Sequence, residues 1–265
     1  MRMLNTAIQA ALRAGKILNK KFNKLAHVKY KMKSCREIVT EADLAAEKII
    51  LDLIRKKYPE HRILSEEVGE INGKFFKVEK SDYLWLIDPL DGTTNFSIKN
   101  PLFNVSIGLA YKGEMILGVI YAPCTDELFT AQKGRGSYLN GKQIKVSQKS
   151  KVRNSILLAA SGRRKIDDKK MIELYSYFKL RTRNFRQFGS AALELAFVAA
   201  GRVEGMIVVG CSPWDMAAGA LIIKEAGGKV TNFAGASWNI KDKNLLACGP
   251  NVHSKILEIL KKLKI

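Results

Sequence analysis

The apolar positions at the front of the chain recur at helical spacing. Through residues 1–25 they form one stripe with lysines between its members, which predicts a packed helix with a charged outer face. A second helix is predicted from Thr40, whose hydroxyl can cap it together with Asp43 three residues later, to Tyr58 and Pro59. The stripe of the first helix comprises Leu4, Ile8, Leu12, Ile17, Leu18, Phe22 and Leu25.

Shorter apolar runs bounded by turn residues follow, and they predict strands. A charged loop with Asn72-Gly73 comes after the first run, and Asn140-Gly141 is the residue pair that a type I′ hairpin requires. The first half is therefore predicted to contain helices and a largely antiparallel sheet. The runs lie at residues 63–64, 84–87, 102–111, 114–122 and 127–131.

From about Ser155 the pattern changes to an alternation of strands and helices. This order predicts helices packed on a sheet, and so a mixed α/β protein of one domain with halves of about 1–150 and 151–265. The pattern does not fix the order of the strands. The predicted strands are 155–160, 183–188, 203–209 and 245–249, and the predicted helices are 168–180, 190–200, 214–226 and 251–264.

Composition narrows the class of protein. The chain has 265 residues, 47% of them hydrophobic, but no apolar run approaches the roughly 18 residues of a spanning helix, so we expect a soluble protein with a substantial core. Its four cysteines are far apart and it has only three histidines, which indicates neither a disulfide framework nor a zinc cluster. A reducing cytoplasm fits this usage best.

Positive charge is concentrated at the front of the chain. The formal net charge is +20, and residues 1–36 hold ten Lys or Arg and no acidic residue. Such a segment is most often the solvated face of a helix, but it is also typical of a patch that binds nucleic acid or another polyanion, or of a transit peptide.

The stretch LWLIDPLDGTTNF (84–96) is the clearest candidate for chemistry. We expect the strand to end at Asp88, because proline holds the preceding residue extended, and we expect Asp91 and Gly92 to turn away from it. Two carboxylates facing one point favour a divalent cation, and the backbone at Gly92 with the hydroxyls of Thr93 and Thr94 can bind phosphate. A tight turn is the alternative interpretation. The spacing does not match the D-x-D of phosphatases that use an aspartate nucleophile.

Two motifs resemble one known family. DPLDGTTNF (88–96) and PWDMAAGALIIKEAGG (213–228) are similar to the two signatures of the inositol monophosphatase family, part of the Mg²⁺-dependent, lithium-sensitive phosphatase superfamily. The segments AQKGRGSYLNGKQIKVS, FGSAALELAFVAAGRVEG, VTEAD and SEE also resemble that family, so the likeness spans the chain. It implies a layered α-β-α-β-α sandwich, a homodimer and hydrolysis of a phosphate monoester with two or three Mg²⁺ ions.

The resemblance also assigns roles to residues. Glu66 and Thr93 would orient and deprotonate the attacking water, with Asp88 as a further catalytic residue. Asp215 and Trp214 equally suit the start of a helix. The implied metal ligands are Glu66, Asp88, Asp91, Asp215 and the carbonyl of Leu90. The implied substrate contacts are Asp91, Gly92, Thr93, Gly189, Ser190, Ala191 and Asp215, with Asp43, Lys33 and Thr94 in an outer layer.

The substrate is predicted to be a phosphorylated polyol or sugar. In inositol-preferring members of the family a glutamate that contacts ring hydroxyls lies seven residues before the last aspartate; here that position is Val208. A site without that acceptor loses discrimination for the hydroxyl, so we expect broad specificity covering inositol 1-phosphate and fructose 1,6-bisphosphate. The alternatives are a 3′(2′),5′-bisphosphate nucleotidase and an RNA-binding protein that uses lysines of its first and last helices.

Overall fold

The computed structural model describes residues 2–24, 30–34, 37–71 and 82–265, with the side chains of 30–34 and 37–39 left out. The predicted loop at Asn72-Gly73 and the position of Leu25 lie outside these residues. None of the described helices is long and apolar enough to cross a membrane. The helices are α1 (Arg2–Phe22), α2 (Glu41–Lys57), α3 (Thr93–Ser97), α4 (Lys165–Lys179), α5 (Ala191–Ala199), α6 (Pro213–Glu225) and α7 (Pro250–Lys262).

Sheet 1 is an eight-stranded sheet of order β10-β9-β8-β7-β6-β5-β3-β4. Its pairs are antiparallel as predicted, except that β3 lies parallel to β5. A separate antiparallel pair joins β1 (Tyr30–Ser34) and β2 (Glu37–Thr40). The strands of sheet 1 are β3 (Arg62–Ser65), β4 (Gly69–Ile71), β5 (Tyr83–Asp91), β6 (Asn104–Tyr111), β7 (Glu114–Ala122), β8 (Glu127–Gln132), β9 (Ser137–Leu139) and β10 (Lys142–Gln143).

Sheet 2 has five strands in the order β12-β11-β13-β15-β14. The strands β11, β12 and β13 are parallel, whereas β15 runs antiparallel to both of its neighbours. Whether the two halves of the chain form one domain stays a prediction. The strands of sheet 2 are β11 (Ile156–Ser161), β12 (Asn184–Arg186), β13 (Gly205–Val209), β14 (Lys229–Thr231) and β15 (Leu245–Cys248).

Three apolar clusters show that the elements stack in five layers. The first joins α1 and α2 to the outer face of sheet 1, and the second fills the space between the two sheets around α5 and α6. The third joins α4 and α7 to the outer face of sheet 2. The expected α-β-α-β-α sandwich is therefore confirmed.

The first helix packs through part of the predicted stripe and through small residues that the prediction did not include. Leu12 is 39% exposed, and the fully buried positions of α1 are mostly small residues. Alanines allow the helix to approach sheet 1 closely, and at Gly15 an added Cβ would lie 2.5 Å from the ring of Tyr121. Leu4 and Ile8 flank this face half-buried, and the charged residues lie outside. The buried positions are Thr6, Ala7, Ala10, Ala11, Ala14, Gly15 and Leu18.

Local capping and turn signals were read correctly. Thr40 and Asp43 form a capping box at the start of α2. Asn140 and Gly141 both have positive φ angles, 47° and 77°, as the hairpin between β9 and β10 requires.

Candidate active site

The motif strand continues past Asp88 and ends in a bulge. Asp88 is opposite Ser106 and Asp91 is opposite Asn104, so β5 has one residue more than β6 between these pairs. Pro89 has no N–H to offer a neighbouring strand, and a bulge is one of the few places where a sheet accepts proline. The prediction that the strand ends at Asp88 was therefore wrong, and the bulge carries both carboxylates to the same cavity.

Gly92 begins the turn into α3, a helix that we did not predict. Its φ is +93°, and a Cβ there would lie 2.9 Å from the carbonyl oxygen of Leu102 and 3.2 Å from Cβ of Ser190. Only glycine can adopt this positive φ and fit into this space without strain. The turn therefore holds the Gly92 backbone against the 188–190 loop that comes from the second half of the chain.

The Asp91 carboxylate is held by donors from both halves of the chain. It accepts hydrogen bonds from Asn104 Nδ2 (2.6 Å) and Ser190 Oγ (2.7 Å). The backbone N–H groups of Ala191 (3.0 Å) and Ala192 (2.8 Å) also donate to it. Because α5 begins at Ala191, this carboxylate also fixes the start of that helix beside the cavity.

Glu194 shapes the opposite wall of the cavity, and the sequence analysis missed it. Its Oε1 accepts from the backbone N–H groups of Phe188 (2.9 Å), Gly189 (3.0 Å) and Ser190 (3.4 Å). The side chain is fully buried, and burial raises its pKa to about 8. A glutamate in the otherwise apolar segment AALELAFVA was the signal that could have found it.

The predicted site residues line one cavity of about 520 Å³ between the two sheets. The exceptions are Asp43, which lies beneath it, and Lys33, which lies on β1, where side chains are outside the described residues. Thr94 lines the cavity as an exposed residue. The lining residues that we had predicted are Glu66, Asp88, Leu90, Asp91, Gly92, Thr93, Thr94, Gly189, Ser190, Ala191 and Asp215.

Asp43 is connected to the cavity through Thr93. Thr93 Oγ1 lies 3.1 Å from Asp43 Oδ1 and 3.0 Å from the Leu90 carbonyl oxygen, and it can donate its proton to either. Asp43 also accepts from the backbone N–H of Thr40 at 2.8 Å. Burial raises the pKa of Asp43 to about 6 in spite of these bonds.

Negative charge is concentrated in the cavity. Burial and the charge of Asp215 raise the pKa of Glu66 to about 8, and burial with the charge of Asp91 raises that of Asp215 to about 7. Burial raises the pKa of Asp88 well above its ordinary value, and the nearby carboxylates add to the effect. Burial also raises the pKa of Asp91, and the hydrogen bonds from its four donors oppose this rise because they favour the charged form. The guanidinium of Arg163 opposes the shifts of Glu66 and Asp215.

These carboxylates suit a hard divalent cation. Buried acidic groups that disfavour one another's charge are stabilised when a cation accepts their oxygens, and Mg²⁺ prefers carboxylate and carbonyl oxygen ligands. Across residues 2–24, 30–34, 37–71 and 82–265, no group of three or more acidic, histidine or cysteine side chains is placed so that it could hold a metal ion as it stands. One reason is that four protein donors already hold the Asp91 carboxylate by hydrogen bonds. The chemistry of the donor set fits Mg²⁺.

Further residues line the cavity beyond the predicted set, and the three largest side chains among them are Arg163, Gln187 and Trp214. Arg163 lies two residues past the end of β11 and is exposed, and its neighbour Arg164 pairs with Asp167 (2.6 Å) at the start of α4. The two consecutive arginines after a predicted strand were a signal that the sequence analysis did not use.

Comparisons with known proteins agree with this geometry. The model of the "Inositol monophosphatase family" matches residues 1–264. "Nus factor SuhB" of Escherichia coli (strain K12) is 41% identical over 258 residues, covering 96% of this chain and 94% of that protein.

Solved structures are similar as well. The extragenic suppressor protein suhB from Bartonella henselae superposes with a TM-score of 0.91 at 36% identity, covering 99% of each chain. The inositol monophosphatase from Anabaena (Nostoc) sp. PCC 7120 superposes with a TM-score of 0.85 at 36% identity, covering 98% of this chain and 96% of that one. The fold, the shared motifs and the match over almost the whole sequence lead to one conclusion: the chain belongs to the inositol monophosphatase family.

Proposed function

We propose that the protein is a Mg²⁺-dependent phosphatase that hydrolyses the phosphate monoester of a polyol or sugar. The observation that carries this proposal is the cluster of Glu66, Asp88, Asp91 and Asp215 in one cavity, beside the turn at Gly92. The family supports phosphatase activity in general terms. Homodimer formation and a cytoplasmic location stay predictions.

The proposed mechanism assigns a task to each group. Mg²⁺ bound by the carboxylates and the Leu90 carbonyl would supply Lewis acidity, activating the attacking water and neutralising charge on the leaving oxygen. Because the hydroxyl proton of Thr93 is directed to Asp43 or to the Leu90 carbonyl, its oxygen is free to accept a hydrogen bond from one O–H of the water and so to orient it. Glu66 would take the other proton of that water.

The alcohol end of the substrate would lie against residues 189–191 and the side chains near Arg163. Val208 is fully buried in the apolar layer between the sheets, opposite Ala160 of the neighbouring strand. It offers no hydrogen bond to a ring hydroxyl, and this supports a broad rather than a strict preference for inositol phosphates.

A substrate panel tests this function. Phosphate release should be measured from inositol 1-phosphate, fructose 1,6-bisphosphate and 3′-phosphoadenosine 5′-phosphate, each with Mg²⁺ and with chelator. We expect Mg²⁺-dependent turnover of the first two substrates with kcat/KM values within about a hundredfold of each other, because no group at Val208 selects for the inositol ring. A larger preference for inositol 1-phosphate would contradict broad specificity, and turnover in chelator would contradict the metal requirement.

Arg163 is predicted to favour substrates with a second anionic group. It lies in the cavity on the side where the alcohol would bind, and a guanidinium binds phosphate oxygens in a bidentate manner. We expect Arg163→Gln to raise KM for fructose 1,6-bisphosphate about tenfold, equivalent to ~1.4 kcal/mol, and to change KM for inositol 1-phosphate less than about twofold.

The matched control for this variant is Lys165→Gln. Lys165 is exposed two residues further along the chain and does not line the cavity, so the same charge is removed outside the site. An equal rise in KM for both substrates in Arg163→Gln would show that the residue acts on the carboxylates in general and not on a second phosphate.

A second candidate function is non-catalytic. Relatives about as long as this chain are named Nus factor, which favours a role in transcription for this chain too. Retention of such a role by a variant without phosphatase activity would separate the two functions.

A further inference from the structure

A second cavity has an unusual lining. It has a volume of about 630 Å³ and is bounded by basic and polar side chains only, with no acidic and no apolar residue. We call it the basic groove. Its residues are Lys149, Ser150, Lys151, Arg153, Asn154 and Arg183.

The basic groove lies at the opposite edge of sheet 2 from the candidate active site. Lys151 and Arg153 precede β11 and Arg183 precedes β12, whereas the active-site cavity is lined by Ser161 at the end of β11 and by Gly210 after β13. These strands are parallel, so their beginnings share one edge and their ends share the other. The length of β11 separates the two edges by about 17 Å, so the groove is not part of the active site.

The positive charge of the groove is largely uncompensated. Lys149 pairs with the buried Glu204 at 3.0 Å. Among the described residues, Lys151, Arg153 and Arg183 form no ion pair, and all three are exposed. Cations gathered in a concave surface raise the local concentration of an anionic partner.

Helix α7 extends the same basic surface. Lys255 Nζ donates to the Ser150 carbonyl oxygen at 2.8 Å, which ties the helix to one wall of the groove. The chain as a whole has a net charge of +20, so its overall charge also favours the approach of an anionic partner.

We propose that the basic groove binds the phosphate backbone of a nucleic-acid strand without reading its sequence. Interfaces with nucleic acid are polar and positively charged, whereas a docked acidic peptide needs apolar anchors that this groove does not provide. Lysine and arginine side chains spaced along the groove can each neutralise one phosphate of a polymer. No aromatic ring lines the groove, so bases have no surface on which to stack and the contacts are independent of sequence.

The test compares two triple variants of the full chain. The groove variant is Lys151→Gln with Arg153→Gln and Arg183→Gln. The control is Arg13→Gln with Lys16→Gln and Lys20→Gln, which removes equal charge from exposed positions on α1, where the sequence alone first suggested polyanion binding. Affinity for a fluorescent single-stranded RNA of about 20 nucleotides is measured by anisotropy as salt is raised, since the slope reports the phosphate contacts.

We expect the groove variant to bind at least about tenfold more weakly than wild type and to lower the slope of log K against log salt by about 2, as the loss of three phosphate contacts predicts. The control should change affinity less than about threefold. Equal losses in both variants would overturn the proposal in favour of diffuse attraction, and so would an absence of wild-type binding at low salt.

Two further measurements test whether the groove acts independently of catalysis and whether it prefers nucleic acid to other polyanions. Phosphatase activity of the groove variant should equal that of wild type, because the groove lies at the other edge of sheet 2. Polyglutamate of matched charge should compete with the RNA at least about tenfold less well than a second nucleic acid. Equal competition would overturn the assignment to phosphate.

Discussion

Replacing Asp88 by asparagine is expected to abolish phosphatase activity while making the metal-free protein more stable. Burial raises the pKa of Asp88 and the neighbouring acidic groups raise it further, so its charge is unfavourable unless a cation is bound. Asparagine keeps the oxygen that accepts from the Leu90 N–H at 3.0 Å and adds an amide that can donate to Glu66. We expect kcat to fall at least about a thousandfold and the free energy of unfolding in chelator to rise by ~1–2 kcal/mol.

Thermal unfolding with Mg²⁺ and with chelator measures the expected change in stability. Wild type should gain stability from Mg²⁺ by mass action, and Asp88→Asn should gain little. The matched control is Asp91→Asn. Its four donors need both carboxylate oxygens, so the amide leaves at least one donor unsatisfied and this variant should lose stability in chelator. If Asp88→Asn were less stable than wild type in chelator, this would contradict the claim that the buried carboxylates destabilise one another in the metal-free protein.

Replacing Glu194 by alanine is expected to unfold the wall of the cavity at residues 188–190. Three backbone N–H groups would lose their acceptor, at a cost of ~3 kcal/mol or more in the free energy of unfolding. Glu194→Gln keeps the accepting oxygen and serves as the control. Denaturant unfolding at pH 5 should place the glutamine variant within ~1 kcal/mol of wild type.

The difference in pH dependence between wild type and the glutamine variant follows from the pKa of Glu194, which rises from 4.5 to about 8 on folding. The folded state keeps the proton in a range where the unfolded chain has released it, so this contribution to stability is fully present below pH 4.5 and is lost as pH rises toward 8. The free energy of unfolding of wild type should fall by up to ~1.4 kcal/mol per pH unit relative to that of Glu194→Gln across that range. A constant difference between them would show that Glu194 is ionised in the fold.

The sequence located the candidate site because its residues are local to short motifs. A strand, a proline bulge and a glycine turn place Asp88, Asp91 and Thr93 together wherever the chain folds in this way, and the resemblance to the family's motifs identified Asp43 and Asp215. Glu194 and Asn104 were missed because their roles depend on contacts between distant segments. Asn104, for example, meets Ser190 across the two halves of the chain at 2.9 Å.

The order of the strands could not be predicted from the sequence for a related reason. Alternating apolar patterns indicate that strands are buried, but they do not say which edges meet. The insertion of β15 between β13 and β14 is set by packing against α6 and α7. The buried face of α1 was predicted only in part, because large apolar residues alone were taken as the buried ones, whereas close approach to sheet 1 also selects alanine and glycine.

The most direct test of the central claim is a Mg²⁺ titration of phosphate release from inositol 1-phosphate and fructose 1,6-bisphosphate, with wild type and Asp88→Asn measured side by side. The account predicts saturable, Mg²⁺-dependent turnover by wild type, loss of that turnover in chelator, and at most a trace of activity in the variant at any Mg²⁺ concentration. Equal turnover by the two proteins, or wild-type turnover that is independent of Mg²⁺, would contradict it.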